Sequence, residues 1–310
     1  GVEAYTICPE GVIHAELKAG ERAGATLVVH GAANYPSALM DLDDAPPLLW
    51  MRGRVKLLNR PLIAVVGARN ASSLGLRMTK ALSGGLAEAG YVVVSGLARG
   101  VDTEAHRAAL RSGTLAVLAG GVDVVYPSEN TELMAEIASH GLCISEQPMG
   151  LQPIARHFPR RNRLVSGVAR AVVVVEAAAD SGSLITARMA LDQGREVMAV
   201  PGHPFDSRAS GCNMLIRDGA VLVRNATDII EALGGTAPVV QVELKRAPPA
   251  YVTGDISAKI VARLSVSPVP EDQLIRDVGA SAEQASAELT QLELEGRVSR
   301  HPGGLLTLVA

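Results

Sequence analysis

The sequence predicts an α/β protein: a parallel sheet covered by helices, followed by a small C-terminal winged-helix domain. Three observations carry this. Short apolar runs recur without polar alternation, as in LIAVV (62–66), YVVV (91–94), TLAVL (114–118), LCIS (142–145), AVVVVE (171–176), EVMAV (196–200) and AVLV (220–223). Strands of that kind are buried on both faces, as in parallel sheets. Helical spacing separates many of them, which is the alternation of βα units. Strand after strand ends in Gly or a small polar residue, and ligands bind in open α/β sheets beyond those carboxyl ends.

The elements follow in order. Residues 1–46 read as an N-terminal extension, the end of a small helical region, with a helix near 12–23. The domain proper is expected over 47–234. Its first helix, 72–89, sets Leu74, Met78, Leu82 and Leu86 four apart on one face. Asp102 is a good N-cap for the next helix. Further helices are expected near 130–139, 183–193 and 227–233. The rhythm is lost over 235–252, which reads as a linker. Residues 253–310 carry helical patterns over 254–264, 271–277 and 282–294, then a hairpin turning at Pro302-Gly303-Gly304. Three helices and a hairpin make a winged-helix pattern.

Composition narrows the function. Of 310 residues, 48% are hydrophobic and only 3% aromatic, so the core is aliphatic. The formal net charge of −3 means that any anion site must be local. Three scattered cysteines, with no C-x-x-C, speak against a disulfide scaffold or zinc site and for a reducing cytoplasm. No apolar run reaches membrane-span length and no secretory leader is visible, so no membrane partner is expected.

The turns after the strands define the chemistry. A dinucleotide fingerprint would need Gly where Arg69 stands and an acid where the second strand ends in Ser95. No P-loop motif occurs, and no cofactor is expected. The guanidinium of Arg69, just past Gly67, suits a pair of phosphate oxygens instead. DSGSLITA (180–187) puts Gly182 and Ser183 at a helix start, a ready-made anion site. SGLARGVDTEAH (95–106) adds a glycine-flanked loop with Arg99. HFPRRNRLVSG (157–167) gathers Arg160, Arg161, Asn162 and Arg163; the window 151–170 holds five arginines and no carboxylate. Each feature also has a bland reading: a surface ion pair, a helix cap, a tight turn. Their coincidence favours a phosphate-binding pocket, with Arg161 and Asn162 as contacts and Phe158 as a packing anchor. The seven histidines have no metal-ligand spacing, and no catalytic residues are assigned.

The motifs YPSAL (35–39), IAVVGARNAS (63–72), VVSGLARGVDTEAHRAAL (93–110), VLAGGVDVVYP (117–127), SEQPMG (145–150), HFPRRNRLVSGVA (157–169), EAAADSGSLITARMALDQGREVMAVPG (176–202) and GCNMLIRDGA (211–220) resemble the DNA-processing protein A family (DprA, also called Smf). They span nearly all of 35–223, in order. The resemblance implies an extended Rossmann-like fold without a nucleotide, and a protein that binds and protects single-stranded DNA. It also implies loading of a RecA-type recombinase during natural transformation, and self-association as a homodimer. The family's DNA pocket falls here on Arg69, on Arg161, Asn162 and Leu164, and on Gly182, Ser183 and Leu184. Some relatives carry lysine where this chain has Arg161. Leucine at 164 offers no ring for stacking.

The winged helix is not expected to read duplex DNA. Residues 251–310 hold five basic residues against eight acidic ones, and 282–294 contains no Lys or Arg; a recognition helix is ordinarily basic. Arg297 and Arg300, in the wing, remain as auxiliary phosphate contacts. Two other readings stay open. One is a nucleotide phosphoribohydrolase-like enzyme using Glu176 and the GSLIT loop. The other is an interaction protein whose arginines meet an acidic partner.

Overall fold

The structure, a computed structural model, describes residues 7–235 and 256–309. The expected linker, from Thr236 onward, lies outside the described residues. The chain opens with α1 (Glu10–Arg22), β1 (Ala25–Val29), α2 (Ser37–Met40) and β2 (Leu48–Gly53). It continues through β3 (Leu62–Val66), α3 (Ser73–Glu88), β4 (Val92–Ser95), α4 (Val101–Ala109), β5 (Thr114–Val117), α5 (Thr131–His140) and β6 (Leu142–Ser145). Then come α6 (His157–Val168), β7 (Ala171–Val174), α7 (Gly182–Asp192), β8 (Glu196–Ala199), α8 (Ser210–Arg217), β9 (Val221–Leu222) and α9 (Ala226–Ala232).

All nine strands form one sheet in the order β1-β2-β6-β5-β4-β3-β7-β8-β9. From β6 to β9 neighbouring strands are parallel, whereas β2 is antiparallel to both β6 and β1. The purely parallel expectation is corrected at this edge. The sheet also reaches back into the stretch read as an extension, because β1 lies within 1–46. Residues of β3 alternate between faces: Leu62, Ala64 and Val66 join one core cluster, Ile63 and Val65 the other. That explains the unbroken apolar runs.

The order reveals a switch point. The chain builds β3 to β6 outward in one direction, then crosses back through α6 to lay β7, β8 and β9 on the other side of β3. Ligands bind where the order reverses, here between the carboxyl ends of β3 and β7. The α6 crossover is the arginine-rich segment, so its first turn stands at that same edge.

The C-terminal domain comprises α10 (Ile256–Arg263), β10 (Val269–Pro270), α11 (Glu271–Val278), α12 (Ala282–Leu294), β11 (Val298–His301) and β12 (Leu305–Leu308). Its strands pair antiparallel in the order β10-β12-β11, the winged-helix pattern. A capping box, Ser281 with Gln284, starts α12. The domain docks on the sheet domain through Leu74 of α3, which packs against its core. Arg263 donates to Ala71 O at 2.6 Å, and Arg208 donates to Ala262 O at 2.9 Å and Leu264 O at 2.5 Å. No helix among the described residues is long and apolar enough to cross a membrane.

Candidate nucleic-acid interface

Three turns converge at the switch point: 67–72 after β3, 95–100 after β4, and 176–182 after β7. They close tightly because glycines line them. A Cβ on Gly67 would stand 2.7 Å from Val101 Cγ2 and 3.0 Å from Glu176 O. Gly100, at φ 77°, brings the second turn against the first; a Cβ there would lie 2.3 Å from Ala68 O. Leu97 also takes positive φ, at 57°, and is fully buried. A leucine in that region is strained and needs support. Asn130 Nδ2 donates to Leu97 O at 3.0 Å, and the Asp102 carboxylate accepts the N–H groups of Gly96 and Ala98 at 3.1 and 3.2 Å. Asp102 is thus no N-cap: α4 starts one residue earlier, at Val101, after Gly100. Burial raises the Asp102 pKa, with Arg161 and its N–H donors pulling the other way.

The arginines divide. Arg69 is exposed, with its guanidinium carbon 5.4 Å from the centroid of Phe158. Phe158 in turn contacts Tyr126, with ring centroids 5.5 Å apart and Tyr126 half-exposed. Phe158 is half-buried and packs against Tyr126, and its ring also lies beneath the Arg69 cation, so the two form an aromatic shelf. Tyr126, which lies in the VLAGGVDVVYP motif but was given no role from the sequence, completes the shelf. Arg160 is exposed and, among the described residues, joins no ion pair. Asn162, one turn into α6, donates to Gly182 O at 3.4 Å and so ties α6 to the start of α7.

The other members face inward. Arg161 is only 6% exposed; its Nη1 donates to Val117 O at 2.9 Å and runs directly beneath Gly96. Burial lowers its pKa, partly offset by Asp102, while Arg69 adds to the lowering. Its position fits support of the 95–100 turn better than direct contact. Arg163 binds Glu146 at 2.5 Å and Asp44 at 3.1 Å, so the supposed absence of carboxylate partners is corrected for it. Both acids lie outside the 151–170 window. Leu164 is fully buried in the core, so its side chain meets no ligand. Arg99 is exposed and 3.8 Å from Glu129. Ser183 is buried, its N–H held by Ser181 Oγ at 3.3 Å, while Gly182 is exposed and Leu184 half-buried.

The helix N-termini are also divided. Glu176 lays its carboxylate on the first turn of α3, accepting from Ser72 N–H at 2.8 Å and Ser72 Oγ at 2.5 Å. A Cβ on Gly75 would fall 2.4 Å from Glu176 Cδ, so this glycine makes the room. The place a dinucleotide phosphate takes in a Rossmann fold is filled by the protein's own anion. Among the described residues no carboxylate accepts from the first turn of α7, whose N–H groups are met only by the Ser181 cap. In the winged helix, Arg297 meets Glu295, and Arg300 meets Glu271 and Glu293. The wing arginines expected as phosphate contacts are thus already neutralised. No group of three or more His, Cys, Asp or Glu that could hold a metal occurs among the described residues.

Comparison with known proteins matches this architecture in both parts. The family model for DNA recombination-mediator protein A covers residues 26–234, and that for the DprA winged helix domain covers 245–304. The chain is 45% identical to the DNA processing protein DprA of Streptococcus pneumoniae over 198 residues, covering 63% of this chain and 70% of that one. It is 36% identical to the protein Smf of Escherichia coli over 287 residues, covering 88% and 75%. The X-ray structure of the S. pneumoniae protein superposes with a TM-score of 0.68 at 39% identity, covering 72% of this chain and 78% of that one. The DNA processing protein A of Helicobacter pylori, solved to explain its single-stranded DNA binding mode, superposes at 0.62 with 33% identity, covering 67% and 95%. On its matched residues, its motifs and its two-part fold, the chain belongs to the DNA recombination-mediator protein A (DprA/Smf) family.

Proposed function

We propose that this chain is a non-enzymatic recombination mediator that binds single-stranded DNA at the switch point. One observation carries the reading: an exposed guanidinium, Arg69, sits against an aromatic shelf of Phe158 and Tyr126. Bases stack on rings of any sequence, and guanidinium groups hold the phosphates between them. Paired duplex bases offer no free face to such a shelf, so single strands are preferred. Arg160, Asn162 and Gly182 extend the surface along α6 and α7. Arg161, Leu164 and Ser183 act from beneath it, holding its shape. The H. pylori relative, described for single-stranded DNA binding, supports the same ligand. The engagement of Glu176 with α3 speaks against its service as a base in a phosphoribohydrolase.

The family resemblance extends the proposal to delivery of the strand to a RecA-type recombinase in the cytoplasm. Self-association as a homodimer belongs to the same proposal. A gel shift with a polythymidine strand and a duplex of equal length tests the binding. Retardation of the strand at protein concentrations that leave the duplex free is expected; equal or absent retardation contradicts it.

A further inference from the structure

The sheet domain and the winged helix flank an open cavity of about 1090 Å³ that the switch-point pocket does not use. It lies against α3 and α4 on one side and α10 and α11 on the other. Small-molecule clefts run to roughly 300–1,000 Å³, so this space suits an extended ligand. Its rim is cationic. Arg77 and Lys80 stand three residues apart on α3, Arg107 on α4 and Arg276 on α11, and all four are exposed. Among the described residues none of the four joins an ion pair. Deeper in, the half-buried Arg263 feels the charges of Asp277, Glu176 and Glu104. Two further lining residues, Arg224 and Asp206, are matched by Asp228 and Arg208. Five cations against three carboxylates leave an excess of positive charge, concentrated at the mouth.

The cavity and the pocket share one partition. Ser72 and Glu176 line the cavity, and Ser72 is three residues beyond Arg69 in the same turn. A polyanion leaving Arg69 over that turn meets the cationic rim next. We propose that the cavity is a second site for the phosphates of a bound single strand, with the winged helix as its outer wall. This rests on the single-strand reading above and gives the winged helix a role that its acidic α12 cannot supply, since α12 takes no part in the lining. Arg77, Lys80 and Arg107 hold the strand from the sheet domain, and Arg276 holds it from the winged helix.

The test is fluorescence anisotropy on the full chain, with labelled thymidine strands of about 5 and about 25 nucleotides, spanning the site sizes of single-strand binders. The double variant Lys80→Ala, Arg107→Ala is expected to bind the short strand as wild type does. It binds the long strand about tenfold more weakly, with a log–log salt slope smaller by about 1.4, or about 0.7 for each phosphate left without its cation. Arg276→Ala is expected to weaken the long strand only, by several-fold. Long-strand affinity and salt slope unchanged in the double variant overturn the proposal. An unaffected Arg276→Ala variant overturns the part assigned to the winged helix. Wild-type protein that binds neither strand overturns the switch-point reading and this one together, which separates the two failures.

Discussion

Within the run Arg160 to Arg163, four adjacent side chains have four different surroundings. An α-helix turns its residues by about 100° each, so consecutive positions cannot all face one ligand. As a block of charge the run looked like one wall of a pocket. Folded into α6, it gives an exposed Arg160, an Arg161 buried under Gly96, an Asn162 tied to Gly182 and an Arg163 held by Glu146 and Asp44. Arg69 and the glycine turns could be placed after their strands from the sequence, whereas the orientation of the arginine run depended on a helix whose first turn carries no obvious start signal. Close to Arg161 lies His106, fully buried, with Nδ1 2.8 Å from Thr114 Oγ1 and Nε2 unpartnered. Burial first, and Arg161 second, push its pKa down to about 3 from an ordinary 6.5. The folded value is depressed, so below pH 6.5 the unfolded chain binds a proton that the folded chain does not. The stability is full above 6.5 and declines as the pH falls toward 3, with a slope approaching about 1.4 kcal/mol per pH unit from this group. Urea unfolding of His106→Asn between about pH 6 and pH 4 is expected to show a profile flatter by that amount. An unchanged slope would exclude His106 as the source.

At the scale of elements, the β4–α4 turn holds the site's geometry. Gly100 is required on two counts, its φ of 77° and the backbone oxygens of Ala68 and Arg69, which a Cβ would meet at 2.3 and 2.5 Å. Backbone atoms cannot swing aside as a side-chain tip can. Gly100→Ala is expected to cost more than about 2 kcal/mol in urea unfolding, since both strain and overlap oppose it. The displaced Arg69 turn also weakens single-strand binding in that variant; wild-type stability would show that the turn is softer than described. Elements with strong periodicity were legible in the sequence, and α3, α5, α7, α9 and all three winged-helix helices fall within a few residues of expectation. Strands β1 and β2 were not. ATLVV follows α1 with only two residues between, and LLWMRG is followed by no helical pattern, so neither fits a βα rhythm. β2 joins the sheet through β6, which comes much later in the chain, and β1 joins it only through β2.

For the whole molecule, the switch point was not visible in the succession of strands along the chain, because strand order is tertiary. The order places α6, the first turn of α7 and the β3 turn at one edge, and only there do Tyr126 and Phe158 meet across 32 residues of chain. The winged helix was legible as a domain, but its docking was not. Leu74, expected on one apolar face of α3 with Met78, Leu82 and Leu86, packs against the winged-helix core while those three pack on the sheet, and Arg263 anchors to Ala71 in the turn beside the site. The winged helix is thus anchored to the turn that carries Arg69. The central claim is that Arg69 over its aromatic shelf holds single-strand phosphate. The most direct measurement is the salt dependence of binding to a thymidine strand by wild-type protein and Arg69→Ala. Several-fold weaker binding, with a log–log slope smaller by about 0.7, is predicted when one phosphate goes without its guanidinium; identical affinity and slope in the two proteins would contradict it.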